Sequence, residues 1–320
     1  METGAGIGES NGASWRELVS EEDLSRNFVQ ATSDGGAFEC RYVRRETRYF
    51  IVYLSSHSGC RQACRFCHLT QTGQTMMKPA GLEDFLAQAD RVLAHADREG
   101  LGSSEWVNFN FMARGEALLN PVVLEDWSAL AEGLAARADA RGLEPRFNIS
   151  SILPVESAGC DLTKALPDPR IALYYSLYAL DEGFRRRWLP KAQDPVEGLA
   201  RLARWQGEVG GQIVLHWALI EGENDSLEEA RRIADRVKAA GISARFNLVR
   251  YNPFGAGQGR ESGDARLEAY FSLLAGELGH EASRIVPRVG FDVKASCGMF
   301  VEKGELKASG IGLAAGGGLC

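Results

Sequence analysis

The stretch GCRQACRFCHLT, at residues 59–70, places three cysteines within one short loop. Cys60, Cys64 and Cys67 are separated by three and then by two residues. The apolar run YFIVYL at residues 49–54 comes before them and has the composition of a β-strand, so the thiols belong to a loop that leaves the end of a strand. Such a loop can place three thiolates around one corner of a metal cluster and leave a fourth position open for a small molecule.

The spacing alone leaves three interpretations of this loop. The cysteines could be buried apolar side chains, they could bind zinc with His68 as a fourth ligand, or they could hold an iron–sulfur cluster. His68 directly follows Cys67, which is awkward geometry for two ligands to one ion, and no second CxxC pair completes a four-thiolate zinc site. The sequence therefore favours the cluster.

The overall composition is that of a globular protein with no general basic surface. The 320 residues are 45% hydrophobic and 25% charged, which suffices for one large domain or two small ones. The net charge of −7 weakens the case for binding a long nucleic acid, but a local basic patch from Arg41 to Arg48 leaves RNA or DNA open as a partner. Seven cysteines, no secretory signal and no apolar run of membrane length predict a reducing, cytoplasmic location without a membrane.

Predicted strands alternate with helices of ten or more residues from Tyr49 onward, which implies parallel βαβ units. Six strands are expected, which favours a partial barrel over an open sheet. We predict an α/β fold with a TIM-like (β/α)6 barrel domain over residues 37–300. Residues 1–36 are expected to form a short, partly disordered extension, with a short helix after Ser20, and residues 301–320 a flexible tail.

Polar residues recur at the predicted carboxyl ends of these strands, where a parallel barrel places its ligand site. They are the cysteine loop, Arg114, Gly115, Glu116, Ser150, Ser151, Ser176, His216, Asn247 and Asn252. One such residue would mean little, whereas a series on one rim predicts a site there.

The CxxxCxxC spacing, with Phe66 before the third cysteine, resembles the signature of the radical S-adenosylmethionine (SAM) superfamily. The resemblance implies a barrel of the radical SAM type and a [4Fe–4S] cluster held by Cys60, Cys64 and Cys67. The fourth iron of such a cluster chelates SAM, and an electron from the cluster releases a 5′-deoxyadenosyl radical. A reducing partner such as flavodoxin is implied as the electron source.

Further segments resemble, in order, elements of the RlmN/Cfr family of RNA adenine C-methyltransferases, which act on ribosomal RNA and in some members on transfer RNA. The segments are ECRYV (39–43), LSSHSGC (54–60), FMARGEALLN (111–120), Ser150, SLY (176–178), YNPF (251–254) and DVKASCG (292–298). The resemblance implies that Cys297 carries the transferred methyl group and that Glu39 matches a general base. It assigns contacts with SAM to Gly115, Glu116, Ser150, Ser176, Tyr178 and Asn252.

The chain departs from that family in two places. The family keeps a second cysteine seven residues before the first cluster ligand, where it resolves the protein–RNA adduct, and this chain has Tyr53 there. Either Cys40 or Cys320 substitutes for it, or the adduct is never formed. Residues 1–36 are also too few for the N-terminal accessory domain that helps the family to engage RNA. The alternative is therefore a radical SAM enzyme without the methyl shuttle, acting on a small molecule, nucleotide or peptide.

Overall fold

The structure is a computed structural model, and it describes residues 15–279 and 281–308. A single sheet holds ten strands that lie side by side in the order of the sequence. These strands are β1 (Arg16–Val19), β2 (Arg26–Ala31), β3 (Ala37–Glu46), β4 (Tyr49–Tyr53), β5 (Trp106–Phe111), β6 (Glu144–Ser151), β7 (Ile171–Tyr175), β8 (Gln212–Ala218), β9 (Ala244–Val249) and β10 (Arg284–Val286).

The strands from β4 to β10 are parallel, and β1 to β4 are antiparallel to one another. Within the described residues β10 pairs with β9 alone, so the sheet curves into a partial barrel without closing. The predicted α/β fold with six parallel strands from Tyr49 is confirmed. The additional strand β10 extends the parallel part at its far edge.

The longer helices bury apolar side chains against the outer face of the sheet. The described residues form ten α-helices. They are α1 (His68–Gln71), α2 (Leu82–Glu99), α3 (Pro121–Glu125), α4 (Trp127–Asp139), α5 (Leu162–Ala165), α6 (Glu182–Trp188), α7 (Pro195–Val209), α8 (Leu227–Ala239), α9 (Asp264–Leu278) and α10 (Lys303–Ala308). Helix α8 begins after Ser226, whose hydroxyl accepts a hydrogen bond from the Glu229 N–H at 3.1 Å. Among the described residues, no helix has the length and apolar character needed to cross a lipid bilayer.

The segment before the barrel differs from the sequence prediction. The expected helix after Ser20 is wrong, because the Ser20 hydroxyl caps a turn by accepting hydrogen bonds from the N–H groups of Glu22 and Asp23. Asp23 then accepts a hydrogen bond from the distant Gly290 N–H at 2.7 Å. The acidic residues therefore fasten a turn between β1 and β2, and both strands extend the barrel sheet.

A buried ion network joins four parts of this fold around Glu39 on β3. Its carboxylate is fully buried and accepts hydrogen bonds from Arg114 at 2.8 Å, Arg41 at 2.9 Å, Asn27 at 3.0 Å and the Val301 N–H at 3.0 Å. Burial alone would raise the pKa of Glu39, but the two arginines outweigh burial and hold it below its usual range. The carboxylate therefore stabilises the fold fully at neutral pH, and this contribution is lost as acid protonates it.

Arg114 extends the network to the cysteine loop. Its guanidinium donates to the Ser58 carbonyl at 3.3 Å, to Gln74 Oε1 at 2.7 Å and to the Val301 carbonyl at 2.7 Å. The side chain is 1% exposed. Arg114, which follows β5, therefore links β3, the cysteine loop and the C-terminal segment.

Replacing Glu39 by Gln leaves two buried guanidinium groups without their shared anion. We expect the free energy of unfolding to fall by about 3–5 kcal/mol, measured by urea denaturation. Glu105→Gln is the matched control, because it removes an exposed carboxylate paired with Arg48 and should leave the free energy of unfolding nearly unchanged. Equal losses in the two variants would contradict a structural role for the network.

Candidate active site

The cysteine loop is held in place at several points. The Cys67 N–H donates to the Cys64 carbonyl at 3.0 Å, and Ala63 between the first two cysteines adopts a φ of 57°. Gly59 approaches the next turn so closely that a Cβ atom there would lie 2.5 Å from the Gln74 carbonyl oxygen. The His68 N–H donates to the Gly298 carbonyl at 2.9 Å, which joins the loop to the segment of Cys297.

The three thiols are suited to binding a positively charged metal group rather than to acting as nucleophiles. Burial raises the pKa of Cys60 to about 12, and burial also raises the pKa values of Cys64 and Cys67. Thiols with raised pKa values are weak nucleophiles, whereas coordination to a metal deprotonates them. The placement of the three thiols on one short loop suits ligands to three separate irons of an iron–sulfur cluster.

The structure does not bring His68 to the thiols as a zinc ligand. Its Nε2 lies 3.0 Å from the carbonyl oxygen of Asn252, which can only accept, so this nitrogen carries the hydrogen. Among the described residues no three His, Cys, Asp or Glu side chains converge closely enough to hold a single metal ion. A cluster differs in this respect, because its thiolates bind separate irons.

Glu116 lies beside the cysteine loop because the residue before it has no side chain. Gly115 has a φ of 98°, and a Cβ atom there would lie 2.7 Å from the His57 nitrogen. Burial raises the pKa of Glu116 to about 7, and its neighbours are the Ser151 hydroxyl and the N–H groups of Leu118 and Ile152. No described arginine or lysine forms a salt bridge with it, so the site lacks a cation that the amino group of SAM would supply.

The other predicted SAM contacts lie on the same side of the barrel. Ser150 and Ser176 occupy neighbouring strand ends, at β6 and just beyond β7, and both are half-buried. Tyr178 is buried and stacks on Phe66 of the cysteine loop, with ring centroids 4.3 Å apart. The structure therefore brings Tyr178 to the cysteine loop and places Ser150 and Ser176 at the same end of the sheet, and it adds Ser151, rather than Ser150, as the partner of Glu116.

Asn252 positions the segment that carries Cys297. Its Nδ2 donates to the Cys297 carbonyl at 2.9 Å, and its Oδ1 accepts from Arg288 Nε at 2.7 Å. The segment of Cys297 packs against the cysteine loop, since a Cβ atom at Gly298 would lie 3.3 Å from the Phe66 carbonyl oxygen. Burial raises the pKa of Cys297 to about 11. Cys297 retains an exposed surface and lines a cavity.

That cavity lies in the barrel interior and has a volume of about 110 Å³. Cys297, Asn252 and Tyr53 line it, whereas the three loop cysteines and Glu116 do not. Cys40 lies on the face of β3 that points away from the cavity. It is fully buried in the core and does not reach the cavity. Cys320 lies outside the described residues.

Comparison with known proteins agrees with this geometry. No family model matches the chain. A "Probable dual-specificity RNA methyltransferase RlmN" of Deinococcus deserti is 29% identical over 289 residues, covering 90% of this chain and 80% of that protein. One of Frankia alni with the same name is 30% identical over 286 residues, covering 88% of this chain and 66% of the relative.

The chain resembles the RlmN/Cfr-like family of radical SAM enzymes. A radical SAM methyltransferase from Sphaerobacter thermophilus has the same fold, with a TM-score of 0.72 at 20% identity over 89% of this chain and 79% of that one. HydG, a maturase of the [FeFe]-hydrogenase, aligns with a TM-score of 0.54 at 12% identity, over 75% of this chain and 52% of HydG. The predicted cofactors, a [4Fe–4S] cluster and SAM, are those of this family.

Two residues of the segment FMARGEALLN have structural roles that the sequence did not indicate. Arg114 occupies the variable position of the Gly-Glu element, yet it links that element to Glu39 and to the cysteine loop. Asn120 closes the same element by donating to the Ser56 and Ala80 carbonyls at 2.8 Å and 3.0 Å. A charged residue next to a buried strand was the one available signal for Arg114.

A cluster ligand and a structural cysteine should respond differently to loss of the thiol. Cys64→Ser should abolish iron binding and the broad visible absorption of the purified protein, because serine is a poor ligand for iron in such clusters. Cys40→Ser removes an equally buried thiol on β3 and should retain both signals. Loss of iron from both variants, or from neither, would contradict the assignment.

Removing the charge of Glu116 tests its fit to the amino group of SAM. Glu116→Gln should weaken SAM binding by about tenfold or more, because a charge-assisted hydrogen bond in a buried site is lost. Equilibrium binding of radiolabelled SAM to the iron-loaded protein measures this change. Glu125→Gln, on the exposed face of α3, is the control and should bind SAM normally; unchanged affinity in Glu116→Gln would exclude the contact.

Proposed function

We propose that this enzyme methylates an adenine carbon of RNA through Cys297. The observation that carries the proposal is that Cys297 lines the cavity of the barrel interior while the next residue, Gly298, is hydrogen-bonded to the cysteine loop. A group carried on that sulfur would face both sites. The names of the relatives support RNA as the substrate class.

In this proposal, the residues around Cys297 have distinct roles. Cys60, Cys64 and Cys67 would hold the cluster, and Glu116 would receive the amino group of SAM. When bound, these cofactors supply a 5′-deoxyadenosyl radical.

The protein's own part is to hold the acceptor sulfur and to exclude water. Asn252 fixes the backbone of Cys297, and the His68 N–H fixes that of Gly298. Gly115, Ser150, Ser176 and Tyr178 would complete the wall against SAM.

The geometry around Glu39 favours a positioning role over the role of general base. The resemblance predicts a general base, and that role stays a prediction. Four hydrogen bonds occupy its carboxylate, and it does not line the cavity. We therefore infer that Glu39 acts mainly as a positioning residue, since it holds Arg114 and Arg41 in place.

The proposal also includes a reducing partner such as flavodoxin and a cytoplasmic location. The six cysteines of the described range are all free thiols, which suits a reducing compartment.

Tyr53 supports a second candidate function. It lines the cavity at the position where the family keeps its resolving cysteine, and a phenol cannot form the disulfide. In this version the radical acts on a small molecule, nucleotide or peptide without a methyl shuttle, and Cys297 donates a hydrogen atom or only packs.

Methyl-deuterated SAM separates the two functions. Reconstituted enzyme incubated anaerobically with RNA should carry label on Cys297 and on an adenine carbon, as found by mass spectrometry. Cys297→Ala should form 5′-deoxyadenosine but no labelled RNA. If 5′-deoxyadenosine forms with the unaltered enzyme while neither Cys297 nor RNA gains label, the shuttle is excluded and the second function is favoured.

A further inference from the structure

The acidic turn at residues 20–23 is fastened at both ends to residues 290–292. The carboxylate of Asp292 accepts hydrogen bonds from the Ser20 hydroxyl and from the N–H of the next residue, each at 2.8 Å. The last residue of the turn accepts the hydrogen bond from the Gly290 N–H at 2.7 Å. The turn therefore has a fixed position against the segment that leads to the carrier cysteine.

These two segments form a recess at the protein surface. Its lining residues are Glu22, Arg288, Val289 and Phe291. Arg288 and Val289 also line the cavity of the barrel interior, as Cys297 does, so the recess borders that cavity. The proposed chemistry at Cys297 uses neither Glu22 nor Phe291.

Phe291 and Arg288 form a cation–π pair in the recess. The guanidinium carbon lies 5.6 Å from the centroid of the Phe291 ring. Phe291 is 45% exposed, and the Arg288 side chain keeps 34% of its surface exposed. The guanidinium is fixed by hydrogen bonds to Asn252 Oδ1, the Tyr251 carbonyl and Glu261. The pair is therefore an ordered planar surface that remains accessible.

Glu22 gives the recess a hydrogen-bond acceptor. Its N–H donates to the Ser20 hydroxyl, whereas its exposed carboxylate forms no hydrogen bond or ion pair with residues 15–279 or 281–308. A carboxylate repels phosphate groups, so the recess does not suit the backbone of a nucleic acid. It does accept hydrogen bonds from amino groups on the edges of bases.

Aromatic rings and guanidinium planes are the surfaces on which unstacked RNA bases stack. We propose that the recess binds the base of the RNA nucleotide next to the one that enters the cavity. This base stacks on Phe291 and Arg288 and donates its amino group to Glu22, which favours adenine, cytosine or guanine over uracil. The inference rests on the proposed function for RNA as the substrate, and it adds the position of the neighbouring nucleotide.

The fluorescence of 2-aminopurine tests this stacking without any turnover. The probes are short single-stranded oligoribonucleotides with one adenosine among uridines, in which 2-aminopurine replaces either the 5′ or the 3′ neighbour of the adenosine. Iron-loaded enzyme, kept anaerobic, should quench one of the two probes, because stacking on an aromatic ring quenches this base. Phe291→Ala should remove the quenching and weaken binding by about tenfold, whereas Phe291→Tyr should retain both.

Val196→Ala is the control for loss of an exposed apolar side chain. Val196 is 43% exposed on α7 and does not line the recess, so this variant should quench the probe normally.

The role of Glu22 is tested by the choice of the neighbouring base. Unlabelled oligoribonucleotides with cytidine or uridine at the quenched position have rings of the same size and differ in the amino group. The cytidine form should compete at least about fivefold more strongly, because it donates to a charged acceptor. Glu22→Ala should remove this preference. Glu21→Ala removes an equal charge from the same turn outside the recess and should keep it.

Quenching of neither probe, or full quenching by Phe291→Ala, would overturn the recess as a base site. Equal competition by the cytidine and uridine forms, or a preference kept in Glu22→Ala, would overturn the contact with Glu22. Thermal melting and visible absorption check the fold of each variant, and both side chains are exposed. Label transfer to RNA from methyl-deuterated SAM is scored separately, so quenching without label rejects the shuttle alone, and label without quenching rejects the recess alone.

Discussion

The buried carboxylate of Glu39 is the constraint on which the rest of this structure depends. It neutralises Arg114 and Arg41 in a place that water does not reach, and these arginines bind the cysteine loop and the C-terminal segment. A buried ion pair adds little net stability over apolar packing, but it is specific, since only one arrangement satisfies all its hydrogen bonds. The network thereby sets where the cysteine loop and the segment of Cys297 meet.

Much of the fold followed from the sequence because its signals were local. The alternation of apolar strands and amphipathic helices from Tyr49 onward, and the N-cap at Ser226, each depend on neighbouring residues. The N-terminal strands did not follow, because β1 and β2 are fixed by pairing with β3 and by the contact of Asp23 with Gly290. Contacts across more than 250 residues leave no periodic pattern in one sequence.

The candidate site shows the same division. The spacing of Cys60, Cys64 and Cys67 and the Gly-Glu pair indicated the cofactors, because each motif is complete within a few residues. His216 and Asn247 were expected at the site, whereas Arg45 and Arg245 were not, because they come from distant strands, β3 and β9, and line the barrel only once the sheet has curved.

The close approach at Gly115 has a thermodynamic consequence. The Ser56 N–H donates to the Arg114 carbonyl at 2.8 Å, and Asn120 donates to the Ser56 carbonyl, so the segment of Glu116 and the start of the cysteine loop form one rigid unit. Order in one part therefore requires order in the other. By linkage, the free energy by which the cluster increases the affinity for SAM equals the free energy by which bound SAM increases the retention of the cluster. Through the close approach at Gly115, each cofactor therefore stabilises the binding of the other.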